Sequence, residues 1–202
     1  MRTATFALAL LLAAVPASAQ MPKEPPGKPD ISRVTAGTYS VEPRHTQIRF
    51  SVMHHGFTPF SGFFSGASGT LTLDPAKPGA ASLSIEVPTN TALVTVPKLT
   101  DELRSPMFFD PEKYPTAKFV SDKVVVHGTH ATISGQLSLH GETHPLTLEA
   151  SFVGAGPSMG KRMVGFTATG TLKRSDYGIT AVLPLVSDEV KIDIAAAFQK
   201  PE

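Results

Sequence analysis

Alternation of apolar and polar residues with period two runs through most of the chain, and no other feature narrows its fold so far. In ATISGQLSLH, residues 131–140, Ala131, Ile133, Gly135, Leu137 and Leu139 share one face, while Thr132, Ser134, Gln136, Ser138 and His140 share the other. Successive side chains of a strand point to opposite faces, so the pattern predicts a strand with one dry side and one wet side. The same alternation recurs in Leu146, Leu148, Ala150 and Phe152, in Val164, Phe166, Ala168, Gly170 and Leu172, and in Val190, Ile192, Ile194, Ala196 and Phe198. Ile48, Phe50 and Val52 repeat it, as do Leu83, Ile85 and Val87. Weaker runs at 62–73 and 116–126 bring the expected total to about eight strands.

Linkers such as His127-Gly128-Thr129 and Gly141-Glu142 are short enough only for antiparallel neighbours. A sheet with one dry face must cover it, and few helical residues are available to form a second layer, so the sheet closes into a barrel or folds over as a sandwich. An all-β, eight-stranded antiparallel up-and-down barrel is the expected fold. Such a barrel is either filled by its own side chains or holds one small ligand. Ala131, Gly135, Ala150, Ala168, Gly170 and Ala196 withdraw volume from the dry face and favour a hollow interior. Interdigitation of these small residues with large ones would leave no void, and the pattern alone keeps both readings open.

One segment breaks the alternation. LTDELRSPMFFDPEKYPTAKF, residues 99–119, follows Pro97, which suits a first helical turn. Leu99 and Leu103 then lie four apart on one face, and Asp101 and Arg104 are spaced for an ion pair on another. Ser105-Pro106 and Asp110-Pro111 each restart a turn. A short broken helical insert near residues 97–114 is expected, its apolar side formed by Leu99, Leu103, Met107 and Phe108 or Phe109. It closes one barrel end either as a lid or as a plug.

The chain opens with Arg2, an apolar run from Ala4 to Val15 and then Ala17-Ser18-Ala19, which reads as a signal peptide over residues 1–19. Export to the periplasm is expected, with residues 20–37 as a flexible Pro-rich tether and 38–200 as one domain. No later stretch approaches the roughly 20 apolar residues of a membrane helix. Removing residues 1–19 leaves 17 basic and 17 acidic residues, against 18 and 17 in the whole chain, which argues against a nucleic-acid partner. The absence of cysteine excludes disulfides, thiolate ligands and a cysteine nucleophile.

Catalytic motifs are lacking. Ser158-Met159-Gly160-Lys161 sits in a Gly-Pro hairpin rather than opening a helix, and Gly154, Gly156 and Gly160 miss the dinucleotide-binding spacing by one residue. His54 and His55, adjacent on a strand, should face opposite ways and not share an ion. His45 and His54 read as polar points near a barrel mouth, and His127, His130, His140 and His144 as surface and turn residues. Asp101, Glu102, Asp110 and Glu112 read as exposed caps. No metal, no required cofactor and no catalysis are expected.

Several stretches together carry a family resemblance. YSVEPRHTQIRFSVMHHG, FSGFFSGASGTLTLD, LRSPMFFDPEKYPTAKF, GQLSLHGETHPLTL and RSDYGI follow one another between Tyr39 and Phe198. In these the chain resembles the YceI-like family of exported, lipocalin-like barrels that bind polyisoprenoid lipids. The resemblance implies a helical segment near one barrel end and a long apolar tunnel for an isoprenoid chain. The chain departs from that family at Glu42, where Asp is common, at Glu102, where His is frequent, and at His140 and His144, where Arg and Lys often stand. Fewer basic groups and an added carboxylate disfavour a pyrophosphate headgroup and favour a neutral quinone or fatty amide.

These readings converge on a binding protein for a long-chain amphiphile, such as an isoprenoid quinone or other polyisoprenoid lipid, held for transport, storage or sequestration. The alternatives are a filled barrel acting as a periplasmic protein-interaction module and an enzyme acting on such a lipid. Expected tail contacts are Phe50, Val52, Leu83, Ile85, Leu103, Met107, Phe108, Phe119, Leu137, Leu148, Phe166 and Ile192. Expected headgroup or rim residues are His54, Asp101, Arg104 and Arg174. Transient membrane contact and a homodimer are compatible with this reading.

Overall fold

The computed structural model describes residues 23–201, so the signal-peptide reading of residues 1–19 lies outside the described residues. The alternating segments form β1 (Gly37–Val41), β2 (Gln47–His54), β3 (Thr58–Phe64), β4 (Ser68–Leu73), β5 (Ser82–Pro88), β6 (Thr116–His127), β7 (His130–Leu139), β8 (Glu142–Ser158), β9 (Lys161–Lys173) and β10 (Glu189–Pro201). One helix, α1 (Pro97–Leu103), lies in the insert between β5 and β6. Among the described residues no helix is long and apolar enough to cross a membrane.

The ten segments make a closed eight-stranded antiparallel barrel, because β1 and β2 lie end to end, as do β3 and β4. β2 pairs with β3 from His54 opposite Thr58 to Ile48 opposite Phe64, and β1 pairs with β4 from Ser40 opposite Thr70 to Gly37 opposite Leu73. Each strand from β4 to β10 pairs antiparallel with the next. β10 then returns to the start, pairing with β2 over Lys191–Ala195 and with β1 at Phe198 and Gln199.

The break between β1 and β2 falls where that seam would otherwise open. There Glu42 N–H donates to Ala197 O (2.8 Å), Thr46 Oγ1 donates to Glu42 O (2.9 Å), and Ala197 N–H donates to Thr46 Oγ1 (3.1 Å). Glu42 is itself buried. Burial pushes its carboxyl up, but His45 Nδ1 and the backbone N–H groups of Arg44 and His45 more than offset that, leaving it below its usual value.

Two bulges explain why the alternation is weak or stops early in two strands. The register of β6 slips between Ser121 and Lys123, so Phe119 is buried before the slip and Val124 after it. In β8 the slip between Phe152 and Gly154 leaves Val153 exposed and buries Ala155. β8 also outruns β7, and its overhanging edge meets the N-terminal segment. Lys28 and Ala155 exchange N–H···O bonds of 3.1 and 2.9 Å. A Cβ on Gly156 would lie 2.2 Å from Pro26 O. Val34 packs on the core formed by Tyr39, Val41, Leu71, Ala155, Val164 and Phe198, and Tyr39 Oη donates to Thr35 O (2.7 Å). Much of the segment expected as a tether therefore lies against the barrel, where it covers an otherwise free strand edge.

Interior glycines serve as seats for neighbouring side chains. A Cβ on Gly62 would lie 2.2 Å from Phe50 Cζ, one on Gly135 2.6 Å from Phe119 Cζ, and one on Gly170 2.7 Å from Leu148 Cδ2. Each large side chain leans sideways over a glycine of a nearby strand instead of standing toward the barrel axis. The consequence differs between sites. At Gly135 the added methyl would also meet Val120 O at 2.3 Å, which is strand backbone, whereas at Gly170 the nearest atom is the end of a flexible leucine. Gly135→Ala should therefore destabilise the fold by about 1–3 kcal/mol and Gly170→Ala by clearly less. Urea unfolding followed by circular dichroism tests this, and equal losses would contradict it.

Candidate functional site

The dry faces of the strands surround a cavity of about 520 Å3 that reaches both ends of the barrel. Its wall is built from inward residues of every strand, among them Ile48, Phe64, Leu71, Ile133, Leu146, Ala168 and Ile194. Of the expected tail contacts, Phe50, Val52, Leu83, Ile85, Leu103, Phe108, Phe119, Leu137, Leu148, Phe166 and Ile192 line it. Polar side chains gather at its two ends. His54, Glu102 and Arg174 stand at the end that carries α1, and Asp74, Thr129 and His130 at the other. The hydroxyl of Thr46, which also lines the cavity, is committed to the β1–β10 seam.

Met107 does not belong with the tail contacts: it is 60% exposed and outside the lining. Its assignment assumed that the helical period continued past Leu103. Instead the chain turns back, with Phe109 N–H donating to Leu103 O (3.0 Å) and Asp110 N–H to Ser105 O (3.1 Å). That reversal drives both Phe108 and Phe109 inward. Phe109 meets Phe64 at 5.1 Å and Phe50 at 6.4 Å between ring centroids, both edge-on. Side chains anchor the insert to the barrel rim. Thr100 Oγ1 donates to Val94 O (3.1 Å) and Thr89 Oγ1 to Tyr114 O (2.6 Å).

Arg104 and Asp101 are exposed and line no part of the cavity. Arg104 donates its Nε–H to Ala92 O (2.9 Å) and so braces the insert rather than facing a headgroup. At this end the sequence reading missed Phe64, and where it offered Phe108 or Phe109 both line the cavity, as does Glu102, read from sequence as an exposed cap. Ile31 and Val34 were missed at the other, although their i, i+3 spacing after Asp30 was a usable signal. The two histidines at the mouth also correct an expectation. His55 leaves the strand with φ 53°, so strand alternation does not separate its ring from that of His54, and their centroids are 4.5 Å apart. Among the described residues no group of three or more potential ligands is placed to hold a metal ion.

The YceI-like domain model matches residues 39–198. The chain belongs to the YceI-like family. Protein YceI of Salmonella arizonae is 36% identical over 156 residues, covering 76% of this chain and 81% of its own length, and that of Salmonella paratyphi B matches to the same extent. Among solved structures, Burkholderia cenocepacia BcnA superposes with a TM-score of 0.68 at 20% identity, over 78% of this chain and 98% of its own. A polyisoprenoid binding domain from Saccharophagus degradans superposes with a TM-score of 0.60 at 18% identity, over 81% and 98%. At these identities the two structures share the fold.

In this YceI-like domain the mouth is completed by the loop between β9 and β10, and Arg174 holds that loop together. Its Nε–H donates to Ser187 O (2.9 Å), its Nη1 to Ile179 O and Ala181 O (both 2.8 Å), and its Nη2 to Val186 O (2.9 Å). Burial pushes the guanidinium below its ordinary value, against the pull of Asp188. With its fork so occupied, Arg174, expected as a headgroup or rim residue, is a structural residue that borders the cavity. His140 and His144, expected at the surface, are half-buried against the same loop. His140 Nδ1–H donates to Tyr177 O (3.0 Å), and the His144 ring lies edge-on to Tyr177 at 5.2 Å. Burial raises the Tyr177 phenol to about 12.

Asp188 ties the loop's two ends, accepting from Ser175 Oγ (2.7 Å) and Ser175 N–H (2.8 Å). The Ser175 hydroxyl first, then its N–H and the nearby Arg174 and Lys173, outweigh burial and hold this carboxyl below its ordinary 3.8. A carboxyl lowered on folding adds stability above its unfolded pKa, and that stability drains away as pH falls through the folded value. Arg174→Met should cost about 2–4 kcal/mol and speed amide exchange across 175–188, because four carbonyls, one buried and three partly buried, lose their donors. Asp188→Asn should flatten the fall in melting temperature below about pH 4. Unchanged exchange in the first variant, or an unaltered acid limb in the second, would contradict the role given to this loop.

Proposed function

We propose that this protein is an exported, non-catalytic carrier that holds a long-chain amphiphile, an isoprenoid quinone or another polyisoprenoid lipid, in the barrel cavity for transport, storage or sequestration in the periplasm. The observation that carries this reading is the distribution of polarity along the cavity: a wall of aliphatic and aromatic side chains with polar side chains at the two ends. A wall of that kind offers a tail no hydrogen bonds, and it removes apolar surface from water at about 0.8 kcal/mol for each buried CH2. The polyisoprenoid-binding domain from Saccharophagus degradans has the same fold, which supports the ligand class.

The mouth supports a neutral headgroup. Arg174 spends its guanidinium on loop carbonyls, while Glu102 brings a carboxylate to the lining. A pyrophosphate there would face the Glu102 carboxylate, and Arg174, the one arginine or lysine of the lining among the described residues, is already engaged by its loop. A quinone ring or amide needs only hydrogen bonds, which the His54 imidazole can supply in either tautomer.

Native mass spectrometry of the mature protein, purified without detergent from the cells that export it, tests the reading directly. A stoichiometric adduct that yields a long-chain quinone or prenyl lipid on extraction is the expected result. Ala168→Phe, which adds bulk to the cavity wall without touching the mouth, should reduce that occupancy at least tenfold while the barrel remains folded by circular dichroism. Apo protein that also fails to take up quinones or prenyl lipids delivered from ethanol would overturn the proposal.

A further inference from the structure

The exposed large apolar side chains are not spread evenly over the barrel. Phe57 at the tip of the β2–β3 hairpin is 87% exposed, Met107 beyond α1 60%, and Leu185 in the β9–β10 loop 54%; Met53, Val96 and Val182 are also exposed. Chain topology brings these segments to one end. His55 N–H donates to Leu185 O (2.6 Å) and Ser187 N–H to Met53 O (2.9 Å), so the β9–β10 loop runs along the hairpin. Val96 precedes α1, whose Leu99 and Leu103 close the same end of the cavity. At the opposite end the exposed large apolar residues are Ile31, Val153 and Met159, and elsewhere Phe63, Leu93 and Val120 are exposed by about 40%.

We propose that this rim is a docking surface for the lipid bilayer, through which an amphiphile passes between membrane and cavity; the inference rests on the carrier reading above. Continuity between outside and inside selects a bilayer over a protein partner. Val182 is exposed on the rim and also lines the cavity, so one apolar side chain belongs to both the rim and the wall. A protein seated on the rim would cover that passage. Hydrocarbon seated there would extend it, and a tail would move from membrane to cavity without crossing water. Val182 holds φ 62°, a left-handed conformation that penalises a β-branched side chain and that glycine adopts freely.

Local charge indicates how the contact works. Lys98, Arg104 and Lys113 near the rim are matched by Asp101, Glu102, Asp110 and Glu112, so no basic excess is available to attract anionic headgroups. Binding therefore depends on shallow insertion of the rim side chains and is independent of anionic lipid and salt.

The test uses the mature full-length protein and vesicles of pure phosphatidylcholine, with binding read by co-sedimentation. Wild type should bind, with no loss between low and high salt. The triple variant Phe57→Ser, Met107→Ser, Leu185→Ser should bind at least about tenfold more weakly, since each substitution removes an apolar side chain from the interface. None of the three residues lines the cavity, so this variant should still take up a quinone delivered from ethanol, which also shows that it is folded. Val182→Gly should weaken vesicle binding without lowering thermal stability. Wild type that ignores phosphatidylcholine vesicles while taking up quinone from ethanol would overturn the docking surface and leave the carrier reading intact. Failure of quinone uptake by wild type would overturn the carrier reading instead. Binding confined to anionic vesicles and abolished by salt would also overturn the docking surface, as would undiminished binding by the triple variant.

Discussion

The structure depends on the return of β10 to the first strand. A sheet of eight strands with a dry face is stable only if that face is enclosed and its edges are paired, and β10 accomplishes both by pairing with β9 along one edge and with β2 and then β1 along the other. With no cysteine in the chain, no covalent bond supports that seam. Its weak point is the break between β1 and β2, and the repair there uses polar atoms in place of a ladder. The Thr46 hydroxyl accepts from Ala197 N–H and donates to Glu42 O, and the buried Glu42 is held by the N–H groups of the turn that follows it. Closure fixes which faces point inward and therefore makes a single apolar enclosure possible.

Enclosure alone would not produce a cavity, because a barrel of this size can fill itself. The difference lies in where the large side chains go. Phe50, Phe119 and Leu148 lie across Gly62, Gly135 and Gly170 and follow the wall, so residues that would otherwise meet at the axis cover their neighbours instead. The two readings of the small interior residues, withdrawn volume and interdigitation, are thus parts of one arrangement. Large residues do pack against small ones, but they do so around the circumference and leave the axis open.

Strand number, antiparallel order and most of the cavity wall were legible in the sequence because they follow from a local period of two. What was not legible depends on chain reversals or tertiary partners. The phase of β6 is lost at Asp122, where one extra residue shifts Val124 and Val126 onto the face that Phe119 already occupies. Met107 was misplaced because α1 ends at Leu103, and helical spacing has no meaning beyond that point. Arg174 is an arginine near a barrel mouth, and only the folded loop brings to it the carbonyls on which its donors are spent. The N-terminal segment has the composition of a linker, yet the overhang of β8 gives Lys28 a backbone partner that no local pattern could announce.

These features together account for a division of labour along the barrel axis. The middle of the wall offers a guest only apolar contact, so under the carrier reading affinity grows with the length of tail enclosed and discriminates little between one tail and another. Selectivity must then arise at the ends, where the polar side chains are. At the α1 end the backbone that carries His54 and Glu102 is braced by Thr89, Thr100, Arg104 and Arg174, each hydrogen-bonded to main-chain carbonyls. Under the same reading, polar groups at the mouth discriminate through the cost of leaving them badly paired, and that cost does not depend on how much tail lies behind them. Under the carrier reading, broad acceptance of tails and selection by headgroup are therefore consequences of the same barrel, separated by where its hydrogen-bonding groups are allowed to stand.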